Sequence, residues 1–424
     1  MSDTTKQFNH STTKTVLVSA YAVNPYHGSE NGMGWNFINQ IARFNKVIAI
    51  TRENTKPHIE CYMKAHPSPA YSNIRFVYFD LPYRMRFWKK GSRGALLYYY
   101  LWQFFMPRFI RNQKLQFDIV HNLNFHNDWT PSRLWLLRKP FVWGPIGHHP
   151  RIPKNYIIHV YGIRNYILEY LKWLTKKFFW NVDPLLKQTV HHADAVLAMN
   201  TSVAKVLPLH NKNVFMMPSV SSEKVAVLDK ERKEKFTVLS AGRFVPLKGF
   251  DLTVKSFARF YSGLPSSEKE KSKLILVGDG PYKDYLQKLV VDLGIWQCVE
   301  FIEWLNREEL KNIYAESSVF LFPSHEGAGM VVAEALSHGL PVVCFNNCGP
   351  GEFADESCGI RIPYSRYNDS ITDFANALHT LKTNSDLYDN LSQGALDKFN
   401  SEFDWNVRGE LLRDVYEKVY RQAS

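Results

Sequence analysis

Two stretches far apart in the chain open in the same way: TVLVSAY at Thr15–Tyr21 and FTVLSAG at Phe236–Gly242. Each is a short apolar run, rich in β-branched residues, that ends in a loop and leads into a helical pattern, as a βαβ unit does. After the first, the strand-like runs VIAIT, FDIVHN, PFVWG and DAVLAM follow, separated by longer helical stretches. After the second come KLILVG, VEFIEW, VFLFP and PVVCF, again with helices between. Strands alternating with helices call for a parallel sheet covered by helices. The restart therefore predicts two α/β domains, over residues 15–218 and 219–402, after a disordered polar tail over 1–14. The linker is expected between about Pro218 and Lys235. Residues 403–424 read as an amphipathic terminal helix, with Val407, Leu411, Leu412, Val415, Val419 and Tyr420 at helical spacing.

Charge narrows the partners. The formal net charge is +12, which points to an anionic ligand or surface. The cations are spread along the chain without zinc-finger spacing or an RNP-like signature, so no nucleic-acid partner is expected. The five cysteines form no CxxC pair and read as thiols of a reducing compartment, with Cys344 and Cys348 buried rather than metal-bound. The polar opening MSDTTKQFNHSTTK shows no signal peptide. The longest aromatic run, ALLYYYLWQFFM, falls short of the roughly 20 residues of a membrane span, so a cytoplasmic location is expected.

Ligands of an open parallel sheet bind beyond the carboxyl ends of its strands. Three loops of the second half stand out there. In AGRFVPLKGF, Arg243 and Lys248 flank a proline turn before a helix, an arrangement that suits a diphosphate and equally suits solvated charge. In VGDGPYKDY, Gly278 and Gly280 would let backbone approach a ligand, and a plain tight turn explains them nearly as well. In SHEGAGMVVAEALSHGLPVV, Glu326 sits in a glycine loop and Glu334 lies inside the following helix, which should stop near His338 at Gly339 and Pro341. Glu326 is placed to face a cleft, or merely to complement the helix dipole. Glu334 is placed to reach a ligand along that helix, or to pair with His338.

Those three stretches, in that order, resemble the retaining nucleotide-sugar glycosyltransferases of family GT4, in particular a bacterial subgroup. The paired glutamates with seven residues between them and the following EALSHGLPVV carry the resemblance, and SAYAVNPYHGSENGMGWNF, FDIVHN and PFVWGPIG extend it into the first half. It implies a GT-B fold, two Rossmann-like domains whose parallel sheets face each other across a cleft, with the terminal helix packing back on the N-terminal domain. Arg243 and Lys248 would hold the donor diphosphate, with Gly278 beside them. Glu334 would bind the ribose, and Glu326 would contact the donor sugar at its reacting face. Gly329, Met330 and Val331 would offer backbone amides, Gly32 would let the first domain's loop approach the phosphates, and His121 and His126 would serve the acceptor side. Ala328 stands where the family commonly has phenylalanine, and PSVSSEK replaces its usual PNGVD.

The function so implied is metal-independent transfer, with retention, from a nucleotide-diphosphate sugar, a UDP-sugar by preference. No cofactor and no metal site are expected. The segments RMRFWKKGSRGALLYYYLWQFFMPRFIR and YILEYLKWLTKKFFW mix cations with aromatic residues, which fits either an anionic membrane surface or ordinary helices on the first sheet. The membrane reading makes the acceptor a lipid-linked saccharide, in surface polysaccharide or glycolipid assembly on the inner face of the cell membrane. A non-hydrolysing nucleotide-sugar epimerase and a non-catalytic sugar or lipid binding protein of the same fold are the alternatives.

Overall fold

The computed structural model describes residues 13–423, apart from 92, 124–126, 220, 223, 226–233 and 304. The expected tail, up to residue 12, and most of the expected linker therefore lie outside the described residues.

The alternation of strand and helix produces two parallel sheets. Among the described residues the first holds seven strands: β1 (Thr15–Ser19), β2 (Lys46–Thr51), β3 (Ile74–Tyr78), β4 (Ile119–Asn122), β5 (Phe141–Ile146), β6 (Ala195–Ala198) and β7 (Asn213–Met216), in the order β3-β2-β1-β4-β5-β6-β7. The second holds six: β8 (Phe236–Ala241), β9 (Ser272–Val277), β10 (Val299–Ile302), β11 (Val319–Phe322), β12 (Val342–Phe345) and β13 (Gly359–Ile362), in the order β10-β9-β8-β11-β12-β13. The central strands are buried from end to end, which is why their sequences are unbroken apolar runs rather than alternating ones. In each sheet the strand order reverses beside its first strand, between β1 and β4 and between β8 and β11. These reversals open the crevices in which ligands of such sheets sit.

Two helices cross between the domains. The terminal helix, Trp405–Ala423, returns to the first domain, where Trp405, Leu412, Val415, Tyr416 and Val419 join the core of the Ser29–Ala42 helix. Trp405 meets Phe37 edge-on at 5.4 Å. The second crossing departs from the expected division of the chain. The Lys154–Val182 helix starts on the second domain: Ile152, Tyr156 and Ile157 lie in that domain's core, and Tyr156 Oη lies 2.7 Å from Ser370 Oγ. Tyr161 Oη donates to the buried Asp251 at 2.5 Å. Gly162, at φ 79° and ψ 167°, then breaks the helix, and its second half runs back over the first domain. Aromatic residues placed early in a helix gave no sign of which domain they pack on, so sequence assigned the whole segment to the first.

Candidate active site

The loops at the second reversal fold against one another before they meet any ligand. Gly249, at φ 68°, starts the Phe250–Ser262 helix in a left-handed conformation, and a side chain there would strike the carbonyl of Pro323 after β11. Gly278 plays the same part toward Gly242: a Cβ on it would collide with the Gly242 carbonyl. The close approach expected at Gly278 is thus an approach of backbone to backbone, which seats the loop after β9 on the loop after β8.

On this platform Lys248 and Glu326 meet. Lys248 Nζ lies 2.7 Å from Glu326 Oε1, with both side chains largely buried. The pair stands at the entrance of the Met330–Ser337 helix, and the Glu326 carboxylate lies over Gly329, where a Cβ would be 3.4 Å from Oε1. Arg243, five residues before Lys248, is exposed.

Glu334 faces a different part of the cleft. It lines a cavity of about 460 Å³ between the domains, with Met330 and Tyr314 on its own side and His27, Gly32 and Trp35 opposite. Tyr314 Oη donates to Glu334 Oε2 at 3.0 Å; burial, and then the carboxylate, hold that phenol well above its ordinary range. The Tyr314 hydroxyl is therefore a fixed donor. His338, suggested as a partner of Glu334, has its Nδ1 2.9 Å from the Glu334 backbone carbonyl. Gly32 falls in the first turn of the Ser29–Ala42 helix, where a Cβ would meet the carbonyl of His27.

Of the two histidines expected on the acceptor side, only His121 is among the described residues, and it does not reach that side. His126 lies outside the described residues. His121 is fully buried on β4, with Nε2 2.7 Å from the Gly144 carbonyl and Nδ1 2.7 Å from Tyr416 Oη. The carbonyl can only accept, so Nε2 carries the proton and Nδ1 accepts from the tyrosine. Burial pulls this histidine down to about 4, so it is a neutral bracket between β4 and the terminal helix, not a group that meets an acceptor.

Other residues, unremarked in the sequence, take the place facing Glu326. His148 and His149 follow β5, and Asn200 follows β6. Asn200 Nδ2 donates to the carbonyls of His148, at 2.9 Å, and Gly327, at 2.7 Å. The Gly327 amide donates to His149 Nδ1 at 3.1 Å. Burial first, and then the nearby charges of Lys176 and Lys248, pull His149 down to about 3, which keeps Nδ1 free of a proton and able to accept. His148 lies 2.7 Å from the buried Asp128. The HH doublet directly after the run PFVWGPIG was the available signal, because a strand's carboxyl end is where such groups act. Among the described residues no group of three or more His, Cys, Asp or Glu side chains is placed to hold a metal ion.

Comparison with known proteins agrees with this geometry. Residues 210–398 match the family model described as glycosyl transferases group 1. The chain is 24% identical over 261 residues to the alpha-monoglucosyldiacylglycerol synthase of Acholeplasma laidlawii, covering 56% of this chain and 61% of that protein. It is 38% identical over 117 residues to the lipopolysaccharide core biosynthesis glycosyltransferase LpsE of Rhizobium meliloti, covering 27% of this chain and 31% of that protein. It thus spans less than two thirds of the length of either relative. The crystal structure of the Anabaena protein HepE in complex with UDP and glucose superposes with a TM-score of 0.61 at 15% identity, over 96% of this chain and 100% of that one. Two parallel-sheet domains facing across a cleft give this chain the GT-B fold, and its second domain matches the group 1 glycosyl transferases over residues 210–398.

Proposed function

We propose that the protein transfers a sugar, with retention and without a metal ion, from a UDP-sugar to a lipid-linked saccharide in surface polysaccharide or glycolipid assembly. The observation that carries this reading is the Lys248–Glu326 pair at the entrance of the Met330–Ser337 helix, one turn from Glu334 and the interdomain cavity. Breaking a sugar–diphosphate bond puts negative charge on the leaving group and positive charge on the sugar. Arg243, Lys248 and the amides of Gly329, Met330 and Val331 supply preorganised positive charge for the first. Glu326, held against Lys248, supplies negative charge for the second. Glu334, held in place by the Tyr314 hydroxyl, offers its carboxylate as an acceptor to the ribose hydroxyls. The bond from the anomeric carbon to phosphate breaks, the bond to the acceptor oxygen forms on the same face, and the acceptor's proton leaves with the phosphate oxygen. HepE's complex with UDP and glucose supports UDP as the carrier.

The acceptor side adds a surface. None of the described helices is long and apolar enough to cross a membrane. The second half of the Lys154–Val182 helix nevertheless exposes Ile163, Ile167, Leu171, Leu174, Phe178 and Val182 along one stripe, beside Arg164, Lys172 and Lys177. An apolar stripe flanked by cations fits an anionic bilayer, where the chains bury the stripe and the headgroups meet the lysines. The relative named as a monoglucosyldiacylglycerol synthase supports a lipid acceptor, which we place on the inner face of the membrane.

Nucleotide release from a panel of UDP- and GDP-sugars, measured in excess chelator, tests the donor reading. Turnover of a UDP-sugar that Glu326→Ala abolishes is the expected result. Failure of every nucleotide sugar to bind or turn over rejects it, and conversion of the donor alone to its epimer would replace transfer with epimerisation.

A further inference from the structure

A second cavity, of about 230 Å³, lies beyond the carboxyl ends of β2 and β3 and plays no part in the donor chemistry. Its walls carry Arg52 and Asn54 from the loop after β2, Asp80 from the loop after β3, and Arg86 and Lys89 from the segment that follows. Three cations thus converge on one carboxylate. That carboxylate is already engaged, accepting the Tyr98 hydroxyl at 2.5 Å and the Glu53 amide at 3.2 Å. The cations keep capacity to spare. Arg52 is braced by Nε to the Tyr21 carbonyl at 3.0 Å and by its guanidinium over the Tyr21 ring at 4.2 Å, which leaves its other nitrogens for the cavity. Arg86 has its Nε buried with no partner, and its one ion pair, to Glu53, is long at 3.9 Å. Lys89 Nζ makes a weak contact, 3.4 Å, to the Gly91 carbonyl and lies 5.5 Å from the Tyr98 ring centroid. Burial, and then the positive charges of Arg52 and Arg86, disfavour the Lys89 ammonium, and Asp80 offsets only part of this.

The rim is as informative as the floor. Tyr83 and Phe87, both lining the cavity, are 74% and 60% exposed, and Leu97, next to the lining Tyr98, is 57% exposed. Large apolar side chains around a cationic hollow suit a ligand that is anionic at its head and apolar behind it. The hollow also sits in the right place. β2 lies beside β1, whose following loop walls the donor cavity. Tyr100, two residues beyond Tyr98, bonds Asp183 at the foot of the long helix whose apolar stripe faces outward.

We propose that this cavity binds the phosphate or diphosphate group by which the acceptor is joined to its lipid, with Arg86, Lys89 and Arg52 as the anion ligands and Tyr83, Phe87 and Leu97 against the first segment of the chain. The assignment rests on the lipid-linked acceptor proposed above. A cavity of this size has room for such a group and some water, at roughly 30 Å³ for each water molecule.

Vesicle flotation tests it without any nucleotide sugar, so its result is separate from that of the donor assay. Phosphatidylcholine vesicles carrying phosphatidic acid, which presents a terminal phosphate, are compared with vesicles of equal surface charge carrying phosphatidylglycerol. The wild-type chain is expected to prefer phosphatidic acid by on the order of tenfold, as charge-assisted hydrogen bonds to a phosphate imply. The Arg86→Gln/Lys89→Gln variant is expected to bind both vesicles alike; it leaves Arg52, and so the brace to Tyr21, untouched. No preference in the wild type, or an undiminished preference in the variant, overturns the proposal. Inorganic pyrophosphate separates the two sources of the anion. Weak competition supports a lipid-borne phosphate, whereas displacement at equal phosphate concentration shows that the cavity reads free phosphate and overturns the lipid assignment.

Discussion

The side chain of Asn200, in the first domain, holds the peptide that follows Glu326, in the second: its Nδ2 lies 2.7 Å from the Gly327 carbonyl. The amide of the same glycine is held by His149, so both polar groups of one peptide residue are fixed from across the domain boundary. Gly327 has no side chain because the His148 carbonyl occupies that space. The position of Glu326 is therefore set by the approach of the two domains, and an open cleft would leave the glycine loop unheld.

Asn200→Ala should for this reason lower kcat more than it raises the donor KM. The two lost hydrogen bonds leave two buried carbonyls short of a donor, and a loss of about 1–3 kcal/mol is roughly five- to 160-fold in rate. Gly327→Ala should do worse, because a methyl group there forces the domains apart. Steady-state kinetics of both variants check this, and a change confined to KM would contradict it.

Lys248 and Glu326 should prove coupled. Lys248→Ala removes the proposed ligand for the diphosphate and leaves the Glu326 carboxylate largely buried without its cation, so donor affinity should fall about tenfold or more. Glu326→Gln should leave the fold intact and lower turnover by on the order of a hundredfold. The double variant should lose less than the sum of the single losses, since the two groups touch. Strict additivity in that cycle would show that the contact is idle.

Tyr314→Phe tests the ribose assignment at Glu334. The substitution keeps the buried ring and removes the 3.0 Å bond to the carboxylate along with a weak 3.5 Å contact to the Val331 carbonyl. Affinity for the nucleoside diphosphate should weaken about five- to tenfold, with the melting temperature of the unliganded protein changed little by comparison. Equal losses with a ribose-free diphosphate would move the effect away from the ribose.

Apart from β10, a half-exposed edge strand whose VEFI run is still largely apolar, the strands that sequence conveyed are the inner ones. β1, β2, β4, β5 and β6 of the first sheet, and β8 to β12 of the second, are the runs recognised from apolar content. The three strands not recognised, β3, β7 and β13, are all edge strands. Their burial is partial, with exposed or half-exposed residues interrupting each of them, so the apolar run that marks a central strand is missing. The candidate site divides in the same way. Glu326, Glu334, Lys248 and Arg243 were legible because a short segment fixes their spacing around a helix start. Asn200, His148 and His149 were not, because their importance comes from contacts to Gly327 over sequence separations that no local pattern encodes. His121 misled for the complementary reason: a histidine at a strand's end looks the same whether it opens on the cleft or, as here, turns inward to Tyr416.

That inward turn has a consequence for acid stability. An unfolded histidine titrates near 6.5, and burial holds His121 at about 4 in the folded chain. Between those values the unfolded state binds the extra proton and the folded state does not, so stability is complete above pH 6.5 and declines as pH falls toward 4. The gap sets an upper bound of about 3 kcal/mol for this one residue. His325, stacked on Phe345 and Tyr364, and His149 are held at about 3 and add slopes of the same sign. His121→Gln can still donate to Gly144 and accept from Tyr416, but it cannot titrate. Denaturant unfolding between pH 4.5 and 7 should therefore show a shallower loss of stability in this variant, by roughly a third if the three histidines contribute alike. An equally steep loss in the variant would mean that His121 is already protonated in the folded protein, which its bond to the Gly144 carbonyl through Nε2 and its acceptance of the Tyr416 hydroxyl at Nδ1 do not permit.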